Sequence, residues 1–189
     1  LVLGVWWSAA TIVSILLPVL FVIGGFSLLT LGGSLWLARK AGEIETTAIG
    51  PYLALTGHLF LFFAAVQRPL AVPPWPIFAL MLVLDLAIGA AALWLRSGNL
   101  QLGAVSASAC IICAWAAMAS GAPWPHVAVL SALLLVALSF IWIYLARRIR
   151  ITGDPGFIAA GVAAVFLAQI TAMVAANQPG SPSILLLLV

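Results

Sequence analysis

Long apolar segments of roughly 20 residues recur along this chain, separated only by short breaks rich in charges, prolines and glycines. A helix of that length crosses the hydrocarbon core of a membrane. Apolar residues make up 66% of the chain and charged residues 6%, against roughly 45–50% and 25% in soluble domains. The sequence therefore predicts an all-α fold, a polytopic integral membrane helix bundle.

The breaks divide one predicted transmembrane domain, residues 1–189, into about six complete crossings. These crossings are residues 19–38, 48–67, 76–95, 100–119, 125–146 and 156–176. We interpret residues 1–17 and 183–189 as truncated crossings, because the chain starts at Leu1 rather than Met and stops at Val189 in an apolar run. We therefore expect a fragment of a longer polypeptide.

A proline and a tryptophan recur at nearly constant spacing, and each tryptophan is followed within a few residues by an arginine. The pairs are Pro18 with Trp36, Pro76 with Trp94, and Pro125 with Trp142. Self-similarity at a fixed period is typical of arrays, so the pattern predicts repeated antiparallel helical hairpins of about 50 residues. The alternative is that membrane helices in general carry such residues at their ends. In either case we expect Pro18 to begin a helix.

The cations fall almost entirely in alternate loops. They are Arg39, Lys40, Arg96, Arg147, Arg148 and Arg150, whereas only Arg68 falls in the opposite set of loops. Because cytoplasmic loops carry the excess of Lys and Arg, the loops around 39–47, 96–99 and 147–154 are predicted to be cytoplasmic. Seven cations scattered over the chain form no basic patch, so we expect the lipid bilayer rather than nucleic acid as a partner.

Small and bulky residues are divided between helices. Gly, Ala and Ser are abundant at 100–119 and 156–176, whereas leucine is abundant at 76–95 and 125–146. Lipid tails are as apolar as leucine, so membrane helices associate best where small residues let their backbones approach closely. We therefore expect the first pair to be buried in the bundle and the second pair to face lipid or a partner.

Two ionisable residues, His58 and Asp85, lie in the middle of predicted crossings, where an ionisable group is costly and asks for a reason. They are equally far along the chain from the middle of the intervening loop, between residues 71 and 72, so an antiparallel hairpin places them at similar depth. The functional alternatives are a proton relay, an ion or substrate contact, or a histidine ligand for a pigment or haem. The structural alternatives are a His–Asp hydrogen bond that locks the hairpin, or a neutral Asp85 bonded to a nearby serine.

The remaining candidates are weaker. Gln169 is a third buried polar candidate, which we interpret first as an interhelical hydrogen bond. Cys110 and Cys113 share a helix face and are interpreted as small apolar residues. The sequence has no metal-ligand spacing and no nucleophile or phosphate-binding motif. We therefore assign no catalytic or metal-binding residue, predict that the protein is not an enzyme, and leave the cofactor open.

The repeated hairpin, with Leu93-Trp94-Leu95-Arg96 at its predicted cytoplasmic end and Leu84-Asp85-Leu86 in the same helix, resembles a family of very large bacterial predicted membrane proteins. Those proteins are built from many short, closely spaced helices and have no assigned function. The resemblance covers most of the chain. It implies a long multi-crossing protein of the bacterial inner (cytoplasmic) membrane, and it implies no catalytic residue.

Three hypotheses for function follow. The first is a non-catalytic multi-pass protein that acts as a structural or accessory subunit beside other membrane proteins, because short-looped crossings with one buried acid offer little for chemistry. The second is a transporter of a small or lipid-like solute that uses Asp85 and His58 at the membrane midplane, where transporter sites lie. The third is a pigment-binding subunit with His58 as axial ligand.

Overall fold

The computed structural model describes residues 13–41, 49–71, 74–118, 125–151 and 154–176. The helices in these ranges are α1 (Val13–Ala41), α2 (Ile49–Ala54), α3 (Thr56–Val66), α4 (Arg68–Ala71), α5 (Trp75–Leu95), α6 (Gly98–Met118), α7 (Pro125–Arg148) and α8 (Pro155–Ala176). No strand occurs in the described part of the chain. The all-α prediction is therefore confirmed for these residues.

Five helices of the described residues are long and apolar enough to cross a membrane. Their spans are Leu16–Leu37, Trp75–Leu95, Gly98–Met118, Val127–Arg148 and Pro155–Val174. A shorter apolar segment, Pro51–Val66, contains a turn at Leu55 between α2 and α3, so the crossing predicted at 48–67 consists of two helices. The spans identify the chain as a multi-pass integral membrane protein.

The prediction that Pro18 begins a helix is wrong, because Pro18 lies inside α1. Proline removes one helical hydrogen bond, but a membrane helix tolerates it where neighbouring helices and local adjustments satisfy the freed carbonyl group. Residues 13–17 and 19–38, which were predicted to belong to different crossings, therefore form one helix. Residues 1–12 of the first predicted crossing and residues 183–189 of the last lie outside the described residues.

Helices α5 and α7 share the same kind of start and end. Each has a proline in its first turn, Pro76 in α5 and Pro125 in α7. Each is followed by a left-handed arginine, Arg96 (φ 54°) and Arg150 (φ 57°). After both helices, the N–H groups of this arginine and of the next residue donate to carbonyl groups of the last turn, as in a Schellman cap. The two helices thus resemble each other, whereas α1 departs from the proposed repeat.

The centre of the bundle is formed by α5 and α6. Helix α5 packs against α1, α3, α6 and α7, and helix α6 packs against α3, α5, α7 and α8. Because the connections are short, α1, α5 and α7 finish at the end where α6 and α8 begin. We call this the inner end, and it is the end predicted to be cytoplasmic. The opposite end, where α5 and α7 begin, is the outer end.

The predicted division between buried and lipid-facing helices is wrong. The leucine-rich α5 has the largest buried share of the membrane spans, 50%, whereas the small-residue α8 has 33%. The other spans of the comparison, α6 and α7, have 44% and 39%. Position in the bundle decides this order, because α5 is surrounded by four helices, α1, α3, α6 and α7, while α8 packs mainly against α6 and α7. Small residues do let helix backbones approach closely, but only at particular positions. A Cβ placed on Gly156, for example, would overlap the backbone of Gly98.

Candidate functional site

The turn at Leu55 places His58 in the bundle. Around this turn the hydrogen bonds span three residues, from the Leu55 N–H to the Tyr52 carbonyl (3.1 Å) and from the His58 N–H to the Leu55 carbonyl (3.0 Å). The next helix, α3, then approaches α1 and α5 through Gly57, where a Cβ would lie 2.6 Å from the Ser27 hydroxyl oxygen. Because Gly57 brings the backbone so close to its neighbours, the His58 side chain enters the core with 1% of its surface exposed.

Asp85 lies midway along α5 and faces His58. The distance between His58 Nε2 and Asp85 Oδ1 is 3.2 Å, and Ser108 Oγ donates to Asp85 Oδ2 at 2.8 Å. The side chain of Ser108 is contributed by α6, so one carboxyl group joins α3, α5 and α6. Asp85 is 1% exposed and Ser108 is fully buried. We call His58, Asp85 and Ser108 the polar triad.

The triad is compact and can be neutral overall in two ways. Either a neutral imidazole faces a protonated Asp85, or an imidazolium faces a carboxylate. Within the described residues, the His58–Asp85 contact is the only pairing of opposite ionisable side chains, so no further cation offsets the acid. His58 Nδ1 is buried and has no hydrogen-bond partner among the described residues. The arrangement can therefore hold one proton between two groups, and it can equally act as a fixed contact among three helices.

The three predicted polar candidates differ in where the structure places them. His58 and Asp85, predicted at similar depth, are in contact. Gln169 lies on the exposed face of α8, so its prediction as a buried site is wrong. The buried glutamine is Gln101 on α6, which is 1% exposed and whose Oε1 has no partner among the described residues. Residue type does not distinguish the two glutamines; the rotation of each helix about its axis does.

The sequence analysis predicted a serine near Asp85 but did not identify it as Ser108. Helix α6 also carries Ser106, which is exposed, so the choice between the two serines depends on the face that α6 turns toward α5. A second polar contact that sequence reasoning missed is made by Trp115, which is 1% exposed. Its Nε1–H donates to the Ala71 carbonyl at 2.7 Å and joins α6 to α4.

The cations predicted as topology determinants are exposed at the inner end. They are Arg39, Lys40, Arg96, Arg147, Arg148 and Arg150. Two of them rest on aromatic rings: the Lys40 ammonium lies 5.2 Å from the centre of the Trp36 ring, and the Arg148 guanidinium lies 5.3 Å from that of Tyr144. Tryptophan and tyrosine beside cations are typical of a membrane–water interface. The assignment of this end to the cytoplasm remains a prediction from charge.

Cofactor binding receives no support from the geometry of the described residues. They contain no group of three His, Cys, Asp or Glu side chains that could hold a metal ion. Cys110 and Cys113 are both exposed on α6. An axial pigment ligand needs a free ring nitrogen with space beside it, whereas His58 Nε2 faces Asp85 and Nδ1 is enclosed. Pigment binding at His58 therefore stays a prediction from the sequence.

Comparisons of the chain with protein-family models, with curated proteins and with solved structures find no match.

Proposed function

We propose that this protein is a non-catalytic, multi-pass subunit that gives structural or accessory support to a membrane assembly, in the bacterial inner membrane. The observation that carries the proposal is the polar triad. Both oxygens of Asp85 are used, one by His58 of α3 and one by Ser108 of α6. An acid whose oxygens are engaged by two neighbouring helices is suited to fixing those helices in one arrangement.

Helix α1 supports the second part of the proposal, contact with other membrane proteins. It has the smallest buried share of the spans, 28%. Gly25, Gly32 and Gly33 on this helix have open space where a side chain would stand. Glycine lets the backbone of another membrane helix approach closely. We therefore propose a helix of another membrane protein as the occupant of this face, and the hairpin repeat of the resemblance as the way in which a longer chain continues the bundle.

One experiment addresses both parts. Gly32→Leu fills the open face of α1, so we expect it to release the chain from its assembly on a native gel without changing its own thermal unfolding. The control, Val162→Leu, alters the exposed surface of α8, where Val162 is 50% exposed. An assembly that stays intact in Gly32→Leu, or one that is lost equally in Val162→Leu, would contradict the proposed role of α1.

A proton-coupled transporter is the second candidate, because the turn at Leu55 interrupts a crossing three residues before His58. Interrupted helices commonly flank transport sites. In liposomes containing a pH-sensitive dye, a structural subunit leaves proton flux at the protein-free rate for both the wild type and Asp85→Asn. A transporter raises the flux in the wild type and loses it in a folded Asp85→Asn variant. That second result would replace the structural proposal.

A further inference from the structure

A small cleft is lined in part by Asp85. Its volume is about 40 Å³, and it runs between α5 and α7. Its polar lining consists of Asp85 and Ser131, and its apolar lining consists of Phe78, Met81, Leu82, Leu134, Leu135 and Leu138. A buried water needs roughly 10–15 Å³ and at least two polar partners, so the cleft is large and polar enough for water.

The hydroxyl of Ser131 is free to bind a water in the cleft. It is 9% exposed, and its hydroxyl makes no hydrogen bond with any residue of the described chain. Ser139, on the same helix and 1% exposed, differs because its hydroxyl donates to the Leu135 carbonyl at 2.8 Å. A buried serine normally satisfies its hydroxyl within its own helix or with water. The unused hydroxyl of Ser131 therefore points to water in the cleft.

The cleft also has a direction along the membrane. Ser131 lies six residues after the outer start of α7, and Asp85 lies ten residues after the outer start of α5. Among the residues that line the cleft, Asp85 is the last along α5 and Ser131 is the first along α7, so Ser131 lies nearer the outer end. On the inner side of Asp85, the ring of Trp142 packs so closely on Gly89 that a Cβ there would overlap it. The two polar residues of the cleft therefore lie at the level of Asp85 and on its outer side, whereas close packing follows on its inner side.

We propose that the cleft between α5 and α7 binds water and that the polar triad exchanges its proton through this water toward the outer end. In each exchange, the Asp85 carboxyl group passes the proton that it shares with His58 to a water in the cleft and takes another proton from that water, so the charge of the triad is unchanged. His58 is the ionisable side chain that faces Asp85 in the described residues; α1, α6 and α7 contribute none. The inference goes beyond the structural role and is compatible with either candidate function.

Hydrogen exchange at the His58 ring tests the proposal. The chain has two histidines, so ¹⁵N-histidine labelling with His126→Gln isolates the His58 ring signal. In bicelles transferred to D₂O, we expect the ring N–H of the wild type to exchange faster than the backbone amides of Leu84 and Ile88, which open only with the helix. Ser131→Ala removes a hydroxyl that can hold the water, and the exchange should slow roughly tenfold, the effect of one hydrogen bond.

The matched control is Ser139→Ala, which makes the same substitution on the inner side of α7 and should leave the ring exchange unchanged. Ser131→Leu, which fills the cleft, should slow the exchange at least as much as Ser131→Ala. Equal rates in the wild type and both Ser131 variants would overturn the proposal. So would equal slowing by Ser139→Ala, or a wild-type ring that exchanges only as slowly as the adjacent backbone amides.

Discussion

The two aspartates of the described chain join helices by different means. Asp85 lies midway along α5; it is hydrogen-bonded to the His58 ring of α3 and accepts from the Ser108 hydroxyl of α6. Asp154 precedes α8 and accepts from backbone groups: the Gly156 N–H of its own helix at 2.9 Å, and the Gly98 N–H at the start of α6. The first aspartate is buried and the second is partly exposed.

The difference follows from where a helix has free hydrogen-bond donors. In the middle of a helix every N–H is used by the carbonyl four residues earlier, so Asp85 requires side-chain donors. At a helix start the first N–H groups have no partner in the helix, and an acid can take them directly. Asp154 does this for two parallel helices at once, near the positive ends of both dipoles. An acid in the middle of the membrane therefore needs hydrogen-bond donors from neighbouring side chains. An acid at a helix start needs backbone N–H groups, which glycine and close helix packing bring within reach.

The largest expected effect comes from removing the central acid. Asp85→Leu leaves His58 and Ser108 buried without their shared partner, and we expect the free energy of unfolding to fall by roughly 3–5 kcal/mol, as when a buried pair is broken. Asp85→Asn should cost less than about 1 kcal/mol, because its oxygen can accept from Ser108 and its amide can donate to neutral His58. Reversible unfolding in mixed micelles measures both values.

A loss below about 1 kcal/mol for Asp85→Leu, the range of single hydrogen bonds between membrane helices, would break the comparison between the two acids. The triad would then contribute no more than an ordinary interhelical contact. A loss for Asp85→Asn as large as that for Asp85→Leu would instead assign the stabilisation to charge, and so to an imidazolium facing a carboxylate.

The sequence was sufficient where depth alone decided the outcome. Equal spacing from a loop predicted that His58 and Asp85 would be level, and they are in contact. The sequence was insufficient where the rotation of a helix about its axis decides which residues are buried. A membrane helix that is apolar on all sides carries almost no signal for its buried face. Gln169 was therefore predicted to be buried, yet among the described glutamines it is Gln101 that is buried.

The errors in helix boundaries and burial have related causes. Pro18 was expected to begin a helix because proline ends helices in water, whereas in α1 the helix continues through it. The burial of α5 was underestimated because leucine content was used in place of position. Contact with α1, α3, α6 and α7 buries α5 even though its leucines also suit lipid. Position in a bundle is a tertiary property that composition does not contain.

The contact between Gly156 and Gly98 gives an effect of intermediate size. Gly156→Ala would place a Cβ against the Gly98 backbone, which has no flexible side chain to yield, so α6 and α8 must separate. We expect a loss of roughly 1–3 kcal/mol in unfolding free energy, as for overpacked interiors. Gly32→Ala is the matched control, because nothing lies within 4 Å of its Cβ position.

That control should be neutral or stabilising by up to roughly 0.5–1 kcal/mol, the usual preference for Ala over Gly in a helix. The same unfolding measurement in mixed micelles compares the two variants. A Gly156→Ala protein as stable as the wild type would show that the inner ends of α6 and α8 are not held in contact. The hydrogen bond from the Gly98 N–H to Asp154 would then not join the two helices.

The smallest expected effect concerns Asp154 itself. Asp154→Ala removes the N-cap of α8 and the acceptor for Gly98, and we expect a loss of about 1 kcal/mol, within the roughly 0.5–2 kcal/mol of N-cap substitutions. Asp154→Asn keeps an oxygen acceptor but removes the charge, so it should lose only the dipole interaction, about 0.3–1 kcal/mol.

Added salt should reduce the difference between Asp154→Asn and the wild type, because this site is partly exposed. Salt should leave the difference between Asp85→Asn and the wild type unchanged, since Asp85 is 1% exposed. If salt altered both differences equally, the contrast between a buried acid held by side chains and a terminal acid held by backbone would be wrong.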